Sequence, residues 1–266
     1  LIAPGIPQEL FNSNGSEKNE REFMRTRPII LLDDGGVMND NRLRGEQWPP
    51  LVGEFFASRV GGTASAWADA NRIVILRILE PANWLRRTQI ASDYSSFERE
   101  YWLDWLKEMA QVVGVSLPPD EECIQLSRQA EDYVIPLVRS AFPGASETIQ
   151  DLHTQGYTLH TASGESSVHL THYLEGMGVR HCFGRLYGAD LLNTFKEGPE
   201  YYRQLFADLQ VAPADTLVVD DSPRALAWAR SLGARTVLVG SAENVGCDTM
   251  GMSSLAELPE LLQRIV

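Results

Sequence analysis

Residues 28–40 read "PIILLDDGGVMND", a short apolar run that ends abruptly in two carboxylates and two glycines. The run has the length and composition of a buried strand. Adjacent acids at its end repel each other and cost desolvation, so a positive group is expected beside Asp33 and Asp34. Gly35 and Gly36 leave the main chain bare, as close approach by a ligand requires.

Beyond this stretch the rhythm of the sequence changes twice. From about 41 to 140 the patterns are helical, with apolar residues three and four apart in "TASAWADANRIVILRILE", "SSFEREYWLDWLKEMAQVVGV" and "PPDEECIQLSRQAEDYVIPLVRSAF". After Pro143 and Gly144, helices alternate with the strands "YTLHTAS", "RLYGAD", "DTLVVDD" and "RTVLVG", and "LAELPELLQRIV" reads as a closing helix. Repeated β–α units imply a parallel sheet covered by helices. The expected fold is therefore α/β, a Rossmann-like parallel core formed by 27–40 and 141–266, with an all-helical cap domain, 41–140, inserted after the first strand. Residues 1–26, rich in Asn, Ser, Glu and Gly, read as an N-terminal arm or a cloning remnant, and a start at Met24 would leave 1–23 upstream of it. The cap tryptophans Trp48, Trp67, Trp84, Trp102 and Trp105 are expected to pack its interior.

The formal charge of −13 argues against nucleic acid or an anionic membrane as partner. It also means that an anionic substrate needs a local positive centre. The three cysteines, Cys123, Cys182 and Cys247, form no CxxC pair, so a reducing, cytoplasmic setting is the default. No run approaches the apolar length of a membrane span, and nothing in the sequence fixes an oligomeric state.

Parallel sheets bind ligands beyond the carboxyl ends of their strands. There the pattern places Asp33, Ser163, Asp220 and Asp221, with Lys196 just before a helix in "NTFKEGPEYY". Oxygen donors suit a hard cation such as Mg2+, while a lysine and bare glycine amides suit a phosphoryl group. Each residue alone has a plainer role. Ser163 and Asp221 both precede helices that they could cap, and Lys196 could be a solvated loop lysine. His169 and His172 share a helix face and read as surface residues.

In combination these stretches resemble the haloacid dehalogenase superfamily, whose members are mostly phosphatases. "ILLDDGGVMND" is similar to that family's first motif, "YTLHTASGES" to its second, Lys196 loosely to its third, and "TLVVDDSPRALAWARSLGARTVLVG" to its fourth. The resemblance covers residues 28–40 and about 141–240 but not the cap. Two registers fit the first motif. One puts Leu32 at the nucleophile position. The other makes Asp33 the nucleophile and matches more residues, but puts Gly35 where the family has a second acid.

The second register implies that Asp33 attacks phosphorus. Asp33, the Gly35 carbonyl, Asp220 and Asp221 would hold Mg2+. Ser163, Gly164, Lys196 and the amides around Gly36 would hold the phosphoryl oxygens of a small phosphorylated substrate, and Asp34 would point away and serve structure. Gly35 cannot protonate a leaving group, so that function is lost, replaced from the cap, or not needed. A 2-haloacid dehalogenase also lacks this acid, but the Asp220–Asp221 pair would be odd in one. Phosphonate cleavage would need a suitably placed cap lysine, and the cap's single lysine is Lys107. A non-catalytic descendant that binds a phospho-ligand or a protein is a further alternative.

Overall fold

The computed structural model describes residues 27–240 and 250–265. The N-terminal arm, Met24 and Cys247 lie outside the described residues. Six strands form one sheet in the order β3-β2-β1-β4-β5-β6. They are β1 (Ile29–Leu32), β2 (Leu159–Ala162), β3 (Phe183–Tyr187), β4 (Thr216–Asp220), β5 (Arg235–Val239) and β6 (Met250–Met252). Every pairing is parallel. The chain winds outward one way from β1 to β3 and then the other way from β4, so the strand order reverses beside β1.

The alternation of side chains along the strands builds two cores. Ile30, Leu32, Leu217, Val219, Val237 and Val239 enter one apolar cluster, with α6 (Ala145–Thr154), α7 (Ser167–Gly176) and α11 (Leu258–Ile265) over it. Leu31, Val218 and Leu238 enter the cluster on the opposite face, under α9 (Pro199–Leu209) and α10 (Pro223–Ser231). This is the period-two pattern of strands buried on both faces. The short helix α8 (Ala189–Leu192) follows β3 at the sheet's edge.

Between β1 and α6 lie α1 (Asn41–Ala57), α2 (Ala64–Ile78), α3 (Pro81–Ile90), α4 (Tyr94–Val113) and α5 (Asp120–Val134), with no strand between 41 and 140 among the described residues. These inserted helices have their own core around Phe56, Trp67 and Trp105, where the Phe56 and Trp67 rings stack at 5.0 Å. Local signals set their ends. Asp40, Thr63 and Asp93 cap the starts of α1, α2 and α4 with their side chains, and Gly114 closes α4 at φ 78°. Helix α1 carries Pro49 and Pro50 in its interior. They remove two backbone donors, and the helix continues because Val52, Phe55 and Phe56 are buried against the core of the insertion.

The chain enters and leaves the insertion at one place. The Asp40 amide donates to the Ser140 carbonyl at 2.7 Å, and the Phe142 amide donates to the Met38 carbonyl at 3.0 Å. Asn39 ties this neck to the loop after β1. Its Nδ2 donates to Asp34 Oδ1 at 2.7 Å, and its Oδ1 accepts from Ser140 Oγ at 2.9 Å.

Candidate active site

Sheet register assembles the candidate residues. Leu32 pairs with Thr161 of β2 and with Val219 of β4. The next positions on these chains, Asp33, Ala162–Ser163 and Asp220–Asp221, therefore share one rim. The Asp33 amide donates to the Val219 carbonyl and the Ser163 amide to the Tyr187 carbonyl, at 2.9 and 3.0 Å, so both residues stay anchored just past their strands.

Asp33, Asp220 and Asp221 each offer a carboxylate oxygen, and the three oxygens lie within 4.8 Å of one another. Lys196 reaches into the group. Its Nζ is 3.1 Å from Asp33 Oδ1 and 2.7 Å from Asp220 Oδ2, and it donates to the Ala162 carbonyl at 2.7 Å. Burial works against the lysine's charge, but Asp33 and Asp220 outweigh it and hold the group protonated well above the usual range. Burial also raises the three acids, partly offset by Lys196; Asp220 moves to about 6. Three crowded acids against one lysine leave an excess of negative charge. Together with an all-oxygen donor set, that excess fits a hard divalent cation such as Mg2+.

Gly36 fits the same picture. It adopts φ +80°, and a Cβ there would fall 1.9 Å from Asp221 Oδ2, so the turn closes on the acid group only without a side chain. Ser163 is buried, and its Oγ accepts from the Glu165 amide at 3.3 Å; the exposed Gly164 sits between them. The caps of the two following helices are Ser166 and Ser222, so neither Ser163 nor Asp221 is spent as an N-cap. Asp34, fully buried, turns away from the acid group into an ion pair with the largely buried Arg44, whose Nη2 is 2.6 Å from Asp34 Oδ2.

Lys107 forms an exposed ion pair with Asp120 at 2.8 Å, at the start of α5. Trp67 and Trp105 pack the insertion's interior, whereas Trp84 reaches across to donate to Glu197 at 3.2 Å, beside Lys196. The rings of Tyr94 and Phe97 also pack on Phe195. The first turn of α4 thus lies over the loop that carries Lys196.

One expectation needs correction. His169 is not a surface residue: its Nε2 lies 3.2 Å from Glu131 and its Nδ1 3.2 Å from Glu165, with the side chain 17% exposed. His172, on the same helix, is half-buried beside Glu175 at 3.5 Å. Sequence pattern missed Arg44, Glu131 and Glu165 as well. Their partners come from different segments, and the single local signal was the i, i+4 spacing of Glu165 and His169.

A family model described as haloacid dehalogenase-like hydrolase matches residues 43–233. The chain belongs to the haloacid dehalogenase-like hydrolases. It is similar to a bifunctional riboflavin kinase/FMN phosphatase of Arabidopsis thaliana, 28% identical over 102 residues, which are 38% of this chain and 27% of that protein. It is also similar to a phosphoglycolate phosphatase of Vibrio vulnificus (strain CMCP6), 25% identical over 112 residues, 42% of this chain and 43% of that protein. The chain thus matches less than half the length of either relative.

Among solved structures, an L-2-haloacid dehalogenase from Xanthobacter autotrophicus shares the fold, with TM-score 0.60 and 16% identity over 90% of this chain and 99% of that one. A Bacillus subtilis chain assigned to the HAD-hydrolases and bound to magnesium shares it at TM-score 0.58 and 17% identity, over 88% and 98%. At such identities the likeness speaks for the fold.

Proposed function

We propose that this hydrolase is a Mg2+-dependent phosphatase of a small phosphorylated metabolite, working through a phosphoryl group carried on Asp33. The observation that carries the reading is the acid group itself: three carboxylate oxygens within 4.8 Å, bridged on one side by Lys196. Asp33, the Gly35 carbonyl, Asp220 and Asp221 would hold the cation. When bound, Mg2+ would screen nucleophile from phosphate and stabilise charge in the transition state.

The chain's own groups do the rest. Asp33 forms the bond to phosphorus, the leaving oxygen departs, and water then cleaves the aspartyl phosphate. Lys196, Ser163, and the amides of Gly164 and Gly36 orient and neutralise the phosphoryl oxygens. The inserted helices act as a cap whose seating over the 193–197 loop excludes water from the site. Phosphatase relatives in two species support this reading over dehalogenation.

The absence of an acid at Gly35 shapes the substrate. A leaving group that receives no proton departs with nearly full negative charge, so turnover depends steeply on its pKa. Aryl phosphates, acyl phosphates and sugar 1-phosphates are expected to outpace alkyl phosphates. The test is a leaving-group series with Mg2+ and with EDTA, beside a 2-haloacid. EDTA-resistant release of halide, with no phosphate release, overturns the reading in favour of a dehalogenase; no turnover of any ester leaves a binding protein.

A further inference from the structure

Where the inserted helices meet the sheet, His169 of α7 stands between two carboxylates. Glu131 of α5 faces Nε2 and Glu165 faces Nδ1, each at 3.2 Å. A neutral imidazole carries one N–H, and its other nitrogen would set a lone pair against a carboxylate; the imidazolium donates to both. Burial disfavours that charge, but Glu131 and Glu165 outweigh it and hold the ring protonated well above the ordinary histidine value.

Both carboxylates are fixed from behind. The Trp102 indole of α4 donates to Glu131 Oε2 at 2.6 Å. Glu165 accepts from Arg44 at 3.2 Å, and its amide donates to Ser163 Oγ at 3.3 Å. Arg44 continues the chain to Asp34, the neighbour of Asp33. An unbroken line of charged contacts thus joins the inserted helices to the turn that carries Ser163 and Gly164.

We propose that His169, as an imidazolium, is a positioning residue that ties the docked insertion to the Ser163–Glu165 turn and so holds that turn in its ligand-ready shape. The tie stands on geometry alone; that the ligand is a phosphoryl group rests on the phosphatase reading. The tie is made while the ring is protonated and fails as pH rises through its raised value. No other group around it loosens the tie as pH rises. Glu98 of α4, raised to about 7 chiefly by burial and by Glu131, gains negative charge with rising pH and strengthens the hold on the cation. Asp190 accepts from the Ser167 amide at 2.7 Å, and burial raises the phenols of Tyr94, Tyr101 and Tyr173. Arg44 stays charged throughout, and Arg128 of α5 favours ionised Glu98.

The test follows two resonances of the 15N-labelled chain against pH: the Trp102 indole N–H, assigned by its loss in Trp102→Phe, and the Gly164 amide. Both are expected to move together, with one midpoint well above ~6.5, the free histidine value. In His169→Gln neither titrates there, and in Glu131→Gln the midpoint falls. Each substitution is expected to lower kcat/KM for an aryl phosphate ~10- to 100-fold, mostly through KM, as small misplacements of binding groups do. If His169→Gln fails to fold, the titration in Glu98→Gln, which removes the other group expected to titrate near about pH 7, carries the test together with Glu131→Gln made in that background. A midpoint near the free value overturns the proposal, as does a Gly164 amide that stays still while Trp102 moves, or full kcat/KM in folded variants. If both resonances titrate together but the parent hydrolyses no phosphate ester, the tie stands and the phosphatase reading falls.

Discussion

The rim at the carboxyl ends of the strands and the boundary of the inserted helices hold their polar groups by different means. At that rim the backbone does the placing: Leu32 pairs with Thr161 and Val219, and the acids follow one step later. At the boundary side chains place one another, through Asp34–Arg44, Arg44–Glu165, Glu165–His169 and His169–Glu131. Positions fixed by strand register tolerate loss of a side chain without moving their neighbours. Positions fixed by buried charge pairs do not, because each lost partner strands a charge.

The comparison breaks first at Asp33. Asp33→Asn is expected to abolish turnover, a loss of ~10⁴-fold or more, with little change in the urea midpoint, because Lys196 keeps Asp220 and the Ala162 carbonyl as partners. Near-parent activity or a large fall in stability would erase the contrast. Asp34→Ala, one residue on, should do the reverse in stability. It leaves Arg44 buried against Glu165 alone, and the expected cost is roughly 3 kcal/mol of unfolding free energy. A loss below about 0.5 kcal/mol would mean that the boundary is no more charge-dependent than the surface.

Asp220 gives a subtler effect. Its carboxyl titrates at about 6 in the fold against 3.8 for the free group. An acid raised in the fold stabilises it fully below the free value, and that contribution is lost as pH rises through the folded value. Metal-free protein should therefore lose on the order of 2–3 kcal/mol from this group between about pH 4 and 6. A cation at the acid group would bind the ionised form, so the rise in Tm on adding Mg2+ should grow across the same window. A metal effect that is constant with pH would remove Asp220 from the cation's surroundings.

The smallest effect is expected at Gly35. A Cβ there would lie 2.5 Å from Asn41 Oδ1, so Gly35→Asp alone must displace that side chain. The double variant Gly35→Asp, Asn41→Ala clears the space. It should flatten the dependence of rate on leaving-group pKa, measured in single turnovers, while the parent stays steep. A flat parent would point to another acid, and Glu98, at about 7, is the first to substitute.

What could be read in the sequence follows the same division. An apolar run ending in acid marks its own geometry, so β1, β2 and β4 and the residues after them are visible as local patterns. Helix α1 hides behind Pro49 and Pro50, which break its apolar spacing although tertiary burial sustains it. Strand β6, "MGM", has no β-branched residue and owes its place to pairing with β5. His169 looked superficial because its partners lie 38 residues away at Glu131 and four residues away at Glu165. A charge network made of distant segments leaves no period to find.

The paired neck at residues 38–40 and 140–142 makes the helical insertion a closed side branch. Its two ends are already held at hydrogen-bonding distance, so the sheet sees the same short gap whatever hangs there. Loop-closure entropy grows only slowly with length, by about 0.6 kcal/mol per doubling, and here the base of the loop is stitched shut. Parts of the helical unit away from Arg44 and Glu131 can therefore change length without altering the gap between β1 and α6. What is fixed is the attachment at 38–40 and 140–142, and the two charged ties at Arg44 and Glu131 set which parts of the branch must stay.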